Sequence, residues 1–278
     1  MEAALAPCVT GEFELSDADF ERVRDLIHRH AGISLSRAKR QMVYSRLARR
    51  LRALGLDNFS DYLELLEAKG GGEVQAFTNA LTTNLTAFFR EPHHFPILAE
   101  HARRAGRSEL SIWCSACSTG EEAYSIAITM VEAFGTMTPP VRILASDVDT
   151  NVLETARFGA YPLERIDQMP AEQVRKYFLR GAGARQGMVK IRPQLRDLIT
   201  FRQINLLDSK WDVRGPLDAI FCRNVMIYFD KKTQYSILKR FAPALGRDGL
   251  LFAGHSESLQ HAGDLFRLRG KTVYELAA

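Results

Sequence analysis

Polar residues collect where short apolar runs end. Ser115 to Glu122 follows the run at 110–115, Asp147 follows 141–146, Asn205 follows 199–204, and Arg223-Asn224 follows 217–222. If those runs are parallel strands, these residues share the rim beyond the strand carboxyl ends, where open α/β sheets bind ligands. The turn at Gly120 leads into a helix, a geometry that suits a phosphate only when it presents bare amides to the anion. Here Glu121 and Glu122 occupy the first helical turn. Their charge repels a diphosphate and favours a ligand that brings an ammonium group or ribose hydroxyls. Asp147 stands where an acid grips ribose hydroxyls in many nucleoside sites. No GxGxxG is present for close approach to a pyrophosphate. Together these features favour S-adenosylmethionine over a nicotinamide dinucleotide. The plainer alternative is that both glutamates only stabilise the helix N-terminus, by about 0.3 to 1 kcal/mol each.

Two other groupings compete. Trp113 to Cys117 (WCSAC) has the WCxxC form of a thiol oxidoreductase following a strand. It lies inside a much larger nucleoside-binding pattern, which makes two buried small residues the better account. Zinc would need more ligands than this pair, so no metal is expected. Gly254 to Ser258 (GHSES) is only part of a nucleophile elbow, because the second glycine is missing. His255 and Ser256 are read as lining the sheet edge.

The elements that must position these groups change character along the chain. The first ninety residues read as helices only. Ser16 followed by Asp19 resembles a capping box, Gly32 offers a stop, Ser36 can cap the next helix, and Gly55 can end it. A third helix follows Ser60, and the triplet Gly70, Gly71 and Gly72 separates it from a fourth carrying Val74, Phe77 and Leu81. From Leu110 β-rich runs alternate with helical patterns, the sign of a parallel sheet wrapped by helices. The strands are expected at 110–115, 141–146, 199–204, 217–222 and 249–253. A terminal hairpin is expected from 264–269 and 272–276, turning at Gly270-Lys271. The stretch between a helix at 150–158 and the strand at 199 is too long for a plain connection. It is read as an insertion with a β pair around 188–197.

The chain has 278 residues, 46% of them hydrophobic, with a formal charge of +4. That charge demands neither nucleic acid nor an anionic membrane as partner. No run reaches the roughly 18 apolar residues of a membrane span, and Met1 to Gly11 lacks a secretion signal, so a cytoplasmic protein without membrane insertion is expected. Cys8, Cys114, Cys117 and Cys222 are too few for a disulfide scaffold and are expected reduced.

Several segments together resemble the bacterial chemotaxis receptor glutamate O-methyltransferases. They are Thr82 to Glu91 (TTNLTAFFRE), His93 to Pro96 (HHFP), Ser118 to Glu122 (STGEE), Ala145 to Asp149 (ASDVD), Phe221 to Phe229 (FCRNVMIYF) and Gly254 to Glu257 (GHSE). The likeness runs from about Ser16 to Leu276. It implies an α/β fold: a Rossmann-like methyltransferase sheet with a small antiparallel β subdomain inserted, preceded by an all-helical domain. The corresponding bounds are 12–84 for the helical domain, 85–278 for the methyltransferase domain and 172–198 for the insertion.

The resemblance also implies the cofactor, S-adenosylmethionine, with S-adenosylhomocysteine as product. Carried over position by position, it implies cofactor contacts from Asn84, Thr86, Arg90, Glu121, Asp147, Asn205, Leu206, Arg223 and Asn224. Arg90 and Tyr228 look like the catalytic pair nearest the methyl group. The partner it implies is the cytoplasmic region of transmembrane chemoreceptors. Members that grip the receptors' C-terminal pentapeptide carry a GxGxxxG loop in the β subdomain, and Gly181, Gly183 and Gly187 match that spacing. The same loop could equally be an ordinary hairpin turn. A monomer is expected. The alternative class is a non-catalytic nucleoside-binding signalling module that kept the fold.

A glutamate carboxylate, with a reference pKa of about 4.3, is ionised at neutral pH and needs no general base. Carboxylate and sulfonium become a neutral ester and a neutral thioether, so charge disappears along the path. Such a site gains by excluding water and fixing geometry. Arg90 is therefore assigned to orientation and ligand charge, or alternatively to a link between the two domains. Tyr228 is read as a wall beside the methyl. The helix from about Ser36 to Leu54 offers a recognition surface: Val43, Leu47, Leu51 and Leu54 share one face, and Lys39, Arg46, Arg49 and Arg50 form a neighbouring stripe. Seven basic residues and no acid occur from Arg37 to Arg52. The stripe suits a glutamate-rich receptor helix. Nucleic acid is disfavoured because aromatic residues for stacking are scarce there. An ordinary solvated helix face is the plain alternative.

Overall fold

The structure is a computed structural model that describes residues 12–69 and 71–277; Cys8, Gly70 and the first eleven residues lie outside the described residues. The chain forms two compact units, divided between Thr83 and Asn84. Asn84 thus belongs with the loop that follows it, one position earlier than the boundary expected from the sequence.

The first unit is helical. Helix α1 (Asp17–Ala31) begins where Ser16 Oγ accepts the Asp19 amide at 3.0 Å, and ends at Gly32 in the left-handed region. Its buried residues, Phe20, Val23, Leu26 and Ile27, recur at helical spacing. Ser36 does not cap the next helix. It precedes a single 3-10 turn, Arg37–Lys39, and makes no capping bond; α2 (Arg40–Leu54) starts after that turn. Val43, Leu47 and Leu51 are buried as their spacing requires, while Leu54 is left exposed at the end. Helices α3 (Phe59–Lys69) and α4 (Gly72–Leu81) complete the unit.

The second unit opens with α5 (His94–Arg104) and then alternates strand and helix. The elements are β1 (Leu110–Cys114), α6 (Glu121–Phe134), β2 (Val141–Asp147), α7 (Thr150–Phe158), then, past an insertion, β6 (Ile199–Gln203), β7 (Leu217–Cys222), α10 (Lys231–Ala244), β8 (Leu245–Ala253), β9 (Phe266–Gly270) and β10 (Val273–Leu276). The seven strands order as β6-β2-β1-β7-β8-β10-β9. The first five are parallel; β10 joins antiparallel to β8 and β9.

Strand alternation explains the two-faced core. Ile112, Cys114, Ile143, Phe221 and Phe252 face α5 and α6 residues such as Phe95, Leu98, Ile126 and Met130. Trp113, Ile220, Cys222 and Leu251 face Ile237, Leu238 and Phe241 of α10. With both faces covered, β7 is buried along its whole length and is apolar except for Asp218, whose carboxylate accepts the Ser111 amide at 2.8 Å. Strand β8 starts at Leu245, four residues earlier than expected, because a register shift against β7 admits the exposed Arg247-Asp248. The hairpin turns on Lys271 and Thr272, both left-handed, rather than on Gly270-Lys271.

The insertion holds β3 (Ala160–Pro162), α8 (Ala171–Tyr177), β4 (Phe178–Arg180), β5 (Met188–Ile191) and α9 (Pro193–Arg196). Its antiparallel order is β3-β5-β4. The pair expected around 188–197 is corrected: only 188–191 is strand, Pro193 starts a helical turn, and the partners of β5 lie at 160–162 and 178–180. The small sheet therefore starts well before residue 172. Tyr161, Tyr177, Val189 and Ile191 join the core on the α6 face, so this sheet has no separate core.

Candidate active site

The turn after β1 is built around Asp147. Its Oδ2 accepts the Ser118 amide at 2.8 Å and its Oδ1 the Asp149 amide at 3.0 Å, fixing the carboxylate at the end of β2. Burial pushes the Asp147 pKa up to about 6 in spite of those amides. Ser118 and Gly120 are both left-handed, and a Cβ on Gly120 would lie 2.8 Å from the Ala156 Cβ, so only glycine lets α7 approach this closely. Glu121 is fully buried. Thr119 Oγ1 donates to its Oε2 at 2.6 Å, while its Oε1 has no hydrogen-bond partner among the described residues.

The loop from Asn84 to Glu91 is held down at several points. Asn84 Nδ2 donates to Asp149 at 2.7 Å, and the Asn84 carbonyl accepts Ser118 Oγ at 3.0 Å. The Thr86 carbonyl accepts Arg165 Nη1 at 3.1 Å, and the Phe89 amide donates to Ser125 Oγ at 2.9 Å. The Arg90 carbonyl accepts Arg223 Nη2. Phe89 and Glu91 are both left-handed at φ 51° and 55°, a conformation that non-glycine residues keep only where surroundings impose it. The Arg90 guanidinium donates to the Leu85 carbonyl at 3.0 Å, inside its own loop.

A second cluster joins this loop to the ends of β7 and β8. The Arg223 side chain is wholly buried, with Nη1 3.1 Å from Glu122 Oε2 in an ion pair without hydrogen-bond alignment, and Nη2 3.6 Å from Glu91 Oε2. Its guanidinium thus supports the rim from beneath. Burial raises the Glu122 pKa, and Arg223 only partly offsets this. Burial also acts to raise Glu91, but hydrogen bonds from the His255 ring and amide, the Arg223 charge and the Asn224 amide outweigh it and take it down to about 2. Asn224 is left-handed. Its backbone N–H donates to Glu257 at 2.9 Å, and a Cβ on Gly254 would lie 2.4 Å from its side-chain nitrogen. Glycine at 254 is therefore what lets the Asn224 side chain cross to Glu91.

Of the other expected residues, Asn205 follows Ile204, whose amide donates to the Asp147 carbonyl at 3.2 Å. The Asn205 side chain accepts the Leu207 amide at 3.0 Å. Leu206 is buried, its carbonyl taking Arg240 Nη2 at 2.6 Å. Tyr228 closes a 3-10 turn, Met226–Tyr228, and is half-buried. The structure therefore gathers Asn84, Glu121, Asp147 and Asn205 about one turn, and Arg90, Arg223 and Asn224 about Glu91. Among the described residues, no side-chain hydrogen bond or ion pair ties Tyr228 to either group.

Residues missed from the sequence are mostly holders. Arg165, on the inserted segment, donates to Thr86 and forms a long ion pair at 3.8 Å with the Glu121 oxygen that has no hydrogen bond; Tyr161 donates its hydroxyl to the Thr119 carbonyl at 2.7 Å. Glu91, Ser125 and Glu257 act in the same way. Glu91 and Glu257 lay inside quoted motifs, but their role depends on contacts between distant segments that spacing does not reveal.

The thiol oxidoreductase alternative is overturned. Cys114 and Cys117 are fully buried, and burial pushes both thiols well above their usual range, where a nucleophilic thiolate does not form. Glu91, His93 and His94 bring ligand atoms within 4.8 Å of one another. Arg223 already supplies the positive charge facing that carboxylate, so the grouping carries no metal assignment.

In the first unit the basic stripe is divided. Arg46 Nη1 donates to the Thr82 carbonyl at 2.6 Å, and Arg50 pairs with Glu73 at 2.7 Å, so both are turned onto α4. Lys39 and Arg49 are exposed. In the insertion, residues 181–187 connect the antiparallel β4 and β5, the hairpin arrangement left open by the sequence. Gly183 and Gly187 are left-handed, and a Cβ on Gly181 would fall 2.0 Å from the Arg185 carbonyl oxygen.

The buried acids fit a ligand that donates rather than one that accepts: Glu121 Oε1 has no hydrogen bond among the described residues, and Asp147 is held in place by amides. A seven-stranded sheet with this acidic rim has the arrangement expected of an S-adenosylmethionine-dependent methyltransferase, and the family match agrees. Residues 84–275 match the CheR methyltransferase SAM-binding domain and residues 18–82 the CheR methyltransferase all-alpha domain. The chain is 56% identical over 270 residues to the chemotaxis protein methyltransferase of Salmonella typhimurium, covering 97% of this chain and 93% of the relative. It is 56% identical over 268 residues to chemotaxis protein methyltransferase 2 of Pseudomonas aeruginosa, covering 96% and 95%, and 54% identical over 270 residues to the Escherichia coli chemotaxis protein methyltransferase, covering 97% and 94%. The chain belongs to the CheR methyltransferase family.

Proposed function

We propose that this methyltransferase esterifies glutamate side chains on the cytoplasmic region of chemoreceptors, working as a cytoplasmic monomer. The observation that carries the reading is the acidic rim, with Glu121 and Asp147 offered to a cationic, hydroxyl-bearing ligand, in a chain with these relatives. No helix among the described residues is long and apolar enough to cross a membrane, so the receptor brings the membrane.

The bound cofactor supplies an electrophilic methyl group. The protein's own residues then have three tasks. Glu121, Asp147 and Asn205 hold the nucleoside end, with Asn84, Thr86, Leu206, Arg223 and Asn224 shaping the rim around it. Arg90 orients the incoming carboxylate through one oxygen, since holding both would blunt the nucleophile. Tyr228 forms the wall that keeps water from the methyl. No proton has to move, because the carboxylate arrives ionised.

Lys39 and Arg49, with Arg46 and Arg50 behind them, form the surface we assign to the receptor helix. The small sheet, with its loop at Gly181, Gly183 and Gly187, is assigned to the receptor's C-terminal pentapeptide. A pull-down with that pentapeptide tests the tether: no binding by catalytically intact protein removes it. The main reading is tested with tritiated cofactor and receptor-bearing membranes. Mild base must release volatile methanol from the labelled receptor, because esters hydrolyse where N-methyl groups do not; label that survives base overturns the ester assignment.

A further inference from the structure

His255 leaves β8 on the same rim, and its ring is fixed although it is exposed. Nδ1 lies 3.0 Å from Glu91 Oε1, and the His255 backbone N–H donates to the same oxygen at 3.2 Å. The Glu91 side chain is 9% exposed and the His255 side chain 67%. An exposed imidazole ordinarily turns freely in water. This one is oriented by a carboxylate that is itself nearly buried and held by Arg223 and Asn224.

We propose that His255 is a substrate-contacting residue, whose Nε2 orients the glutamate carboxylate awaiting methylation. The proposal rests on the methyltransferase reading above. Glu91 is ionised and can only accept, so the hydrogen in the Glu91–His255 contact belongs to Nδ1. A carboxylate on one ring nitrogen settles which nitrogen is offered outward, and here that nitrogen is Nε2. The same Glu91 oxygen accepts Asn224 Nδ2 at 3.3 Å, so the ring stands one shared oxygen away from a residue assigned to the cofactor rim. With Nδ1–H turned to Glu91, Nε2 faces outward, and the role requires the ring in its imidazolium form, the one in which Nε2 carries a hydrogen to offer a substrate carboxylate. Nε2–H then bonds the same substrate oxygen that Arg90 orients, and the other oxygen keeps its lone pair for the methyl. No bond to the protein forms or breaks in this role.

The fold does not need the ring. The His255 backbone N–H still reaches Glu91 when the side chain is cut back, and Arg223 and Asn224 remain in place. A structural role and a substrate role therefore separate experimentally. His255→Ala and His255→Gln are compared with the unmodified protein for S-adenosylhomocysteine affinity by calorimetry and for receptor kcat/KM. Expected is an affinity within about twofold and a receptor kcat/KM lowered about tenfold or more in His255→Ala, the loss of one bond to a charged group. His255→Gln, which keeps an N–H donor, is expected between the two. An unchanged receptor kcat/KM in both variants overturns the proposal. So does an affinity loss as large as the kcat/KM loss, which would place the ring on the cofactor side through Glu91. If His255→Ala does not fold, the Gln variant alone decides by the same two readings. No uptake of S-adenosylhomocysteine by the unmodified protein overturns the methyltransferase reading itself, a result visible before any variant is made.

Discussion

The backbone amide of Ser118 reaches across from the end of β1 to the carboxylate of Asp147 at 2.8 Å. That bond and the amide of Asp149 hold the acid in a buried place where its pKa is up at about 6. Between its ordinary value and 6 the folded state binds more protons than the unfolded state at this group. Its contribution to stability therefore falls as pH rises through that window. A ligand that donates hydroxyls prefers the ionised form. Cofactor affinity is therefore expected to weaken as pH drops through about 6, and binding near that pH should release a proton. Calorimetry of S-adenosylhomocysteine binding across pH, in buffers of different ionisation enthalpy, reads both effects. In Asp147→Asn the affinity should be weaker throughout and flat in that window; an unchanged slope assigns the dependence to another group.

Arg223 stands between two acids of opposite tendency, Glu122 held up by burial and Glu91 held down to about 2. Arg223→Met leaves both carboxylates buried without their cation. Breaking a buried pair in this way costs about 3 to 5 kcal/mol. Denaturant unfolding should show a loss of that size alongside weaker cofactor binding. Full stability with only binding lost would mean that the guanidinium faces the ligand and not the two acids.

Arg90→Ala tests the orientation role. An arginine bond to a carboxylate is worth about 1.5 to 3 kcal/mol, which corresponds to a fall of about ten- to a hundredfold in kcat/KM. Turnover equal to the unmodified protein, with cofactor binding intact, would remove Arg90 from the site.

Much of this arrangement is legible in the residue pattern, and the rest fails for definite reasons. Strands β1, β2, β6 and β7 fall within a residue of their expected ends, because an apolar run bounded by polar rim residues has few other ways to be buried. The acidic turn at Glu121 and the place of Asp147 at the end of β2 follow from charge and position alone. The small sheet was misplaced because β3 is three residues long, too short to show a period, and finds its partner β5 far along the chain. Arg46 and Arg50 looked like surface charges because helical spacing says which residues share a face and not what lies opposite. Glu91 and His255, separated by 164 positions, could not be paired without the fold.

The inserted segment also braces the turn proposed to hold the cofactor. Arg165 donates to the Thr86 carbonyl and approaches Glu121, and the Tyr161 hydroxyl reaches Thr119. Losing one such bond is worth about 1 kcal/mol. Arg165→Ala is expected to raise the S-adenosylhomocysteine Kd about fivefold with little change in thermal midpoint, since the side chain is partly exposed. An unaltered Kd would show that the loop from Asn84 to Glu91 is held well enough by its other partners.

Receptor recognition by the first unit must be tested at the right residues. Reversing Arg50 breaks its pair with Glu73, an acid that also accepts the Tyr62 hydroxyl at 2.9 Å, so any slower methylation could arise from a damaged helix packing. Lys39 and Arg49 are exposed and make no ion pair among the described residues. Lys39→Glu with Arg49→Glu should leave the unfolding midpoint and cofactor affinity unchanged and lower receptor kcat/KM several-fold at low ionic strength. At 0.15 M salt, where the screening length is about 8 Å, the difference should shrink, because steering acts beyond contact range. Equal rates for variant and unmodified protein in low salt would leave this helix face an ordinary solvated one and move the receptor surface elsewhere.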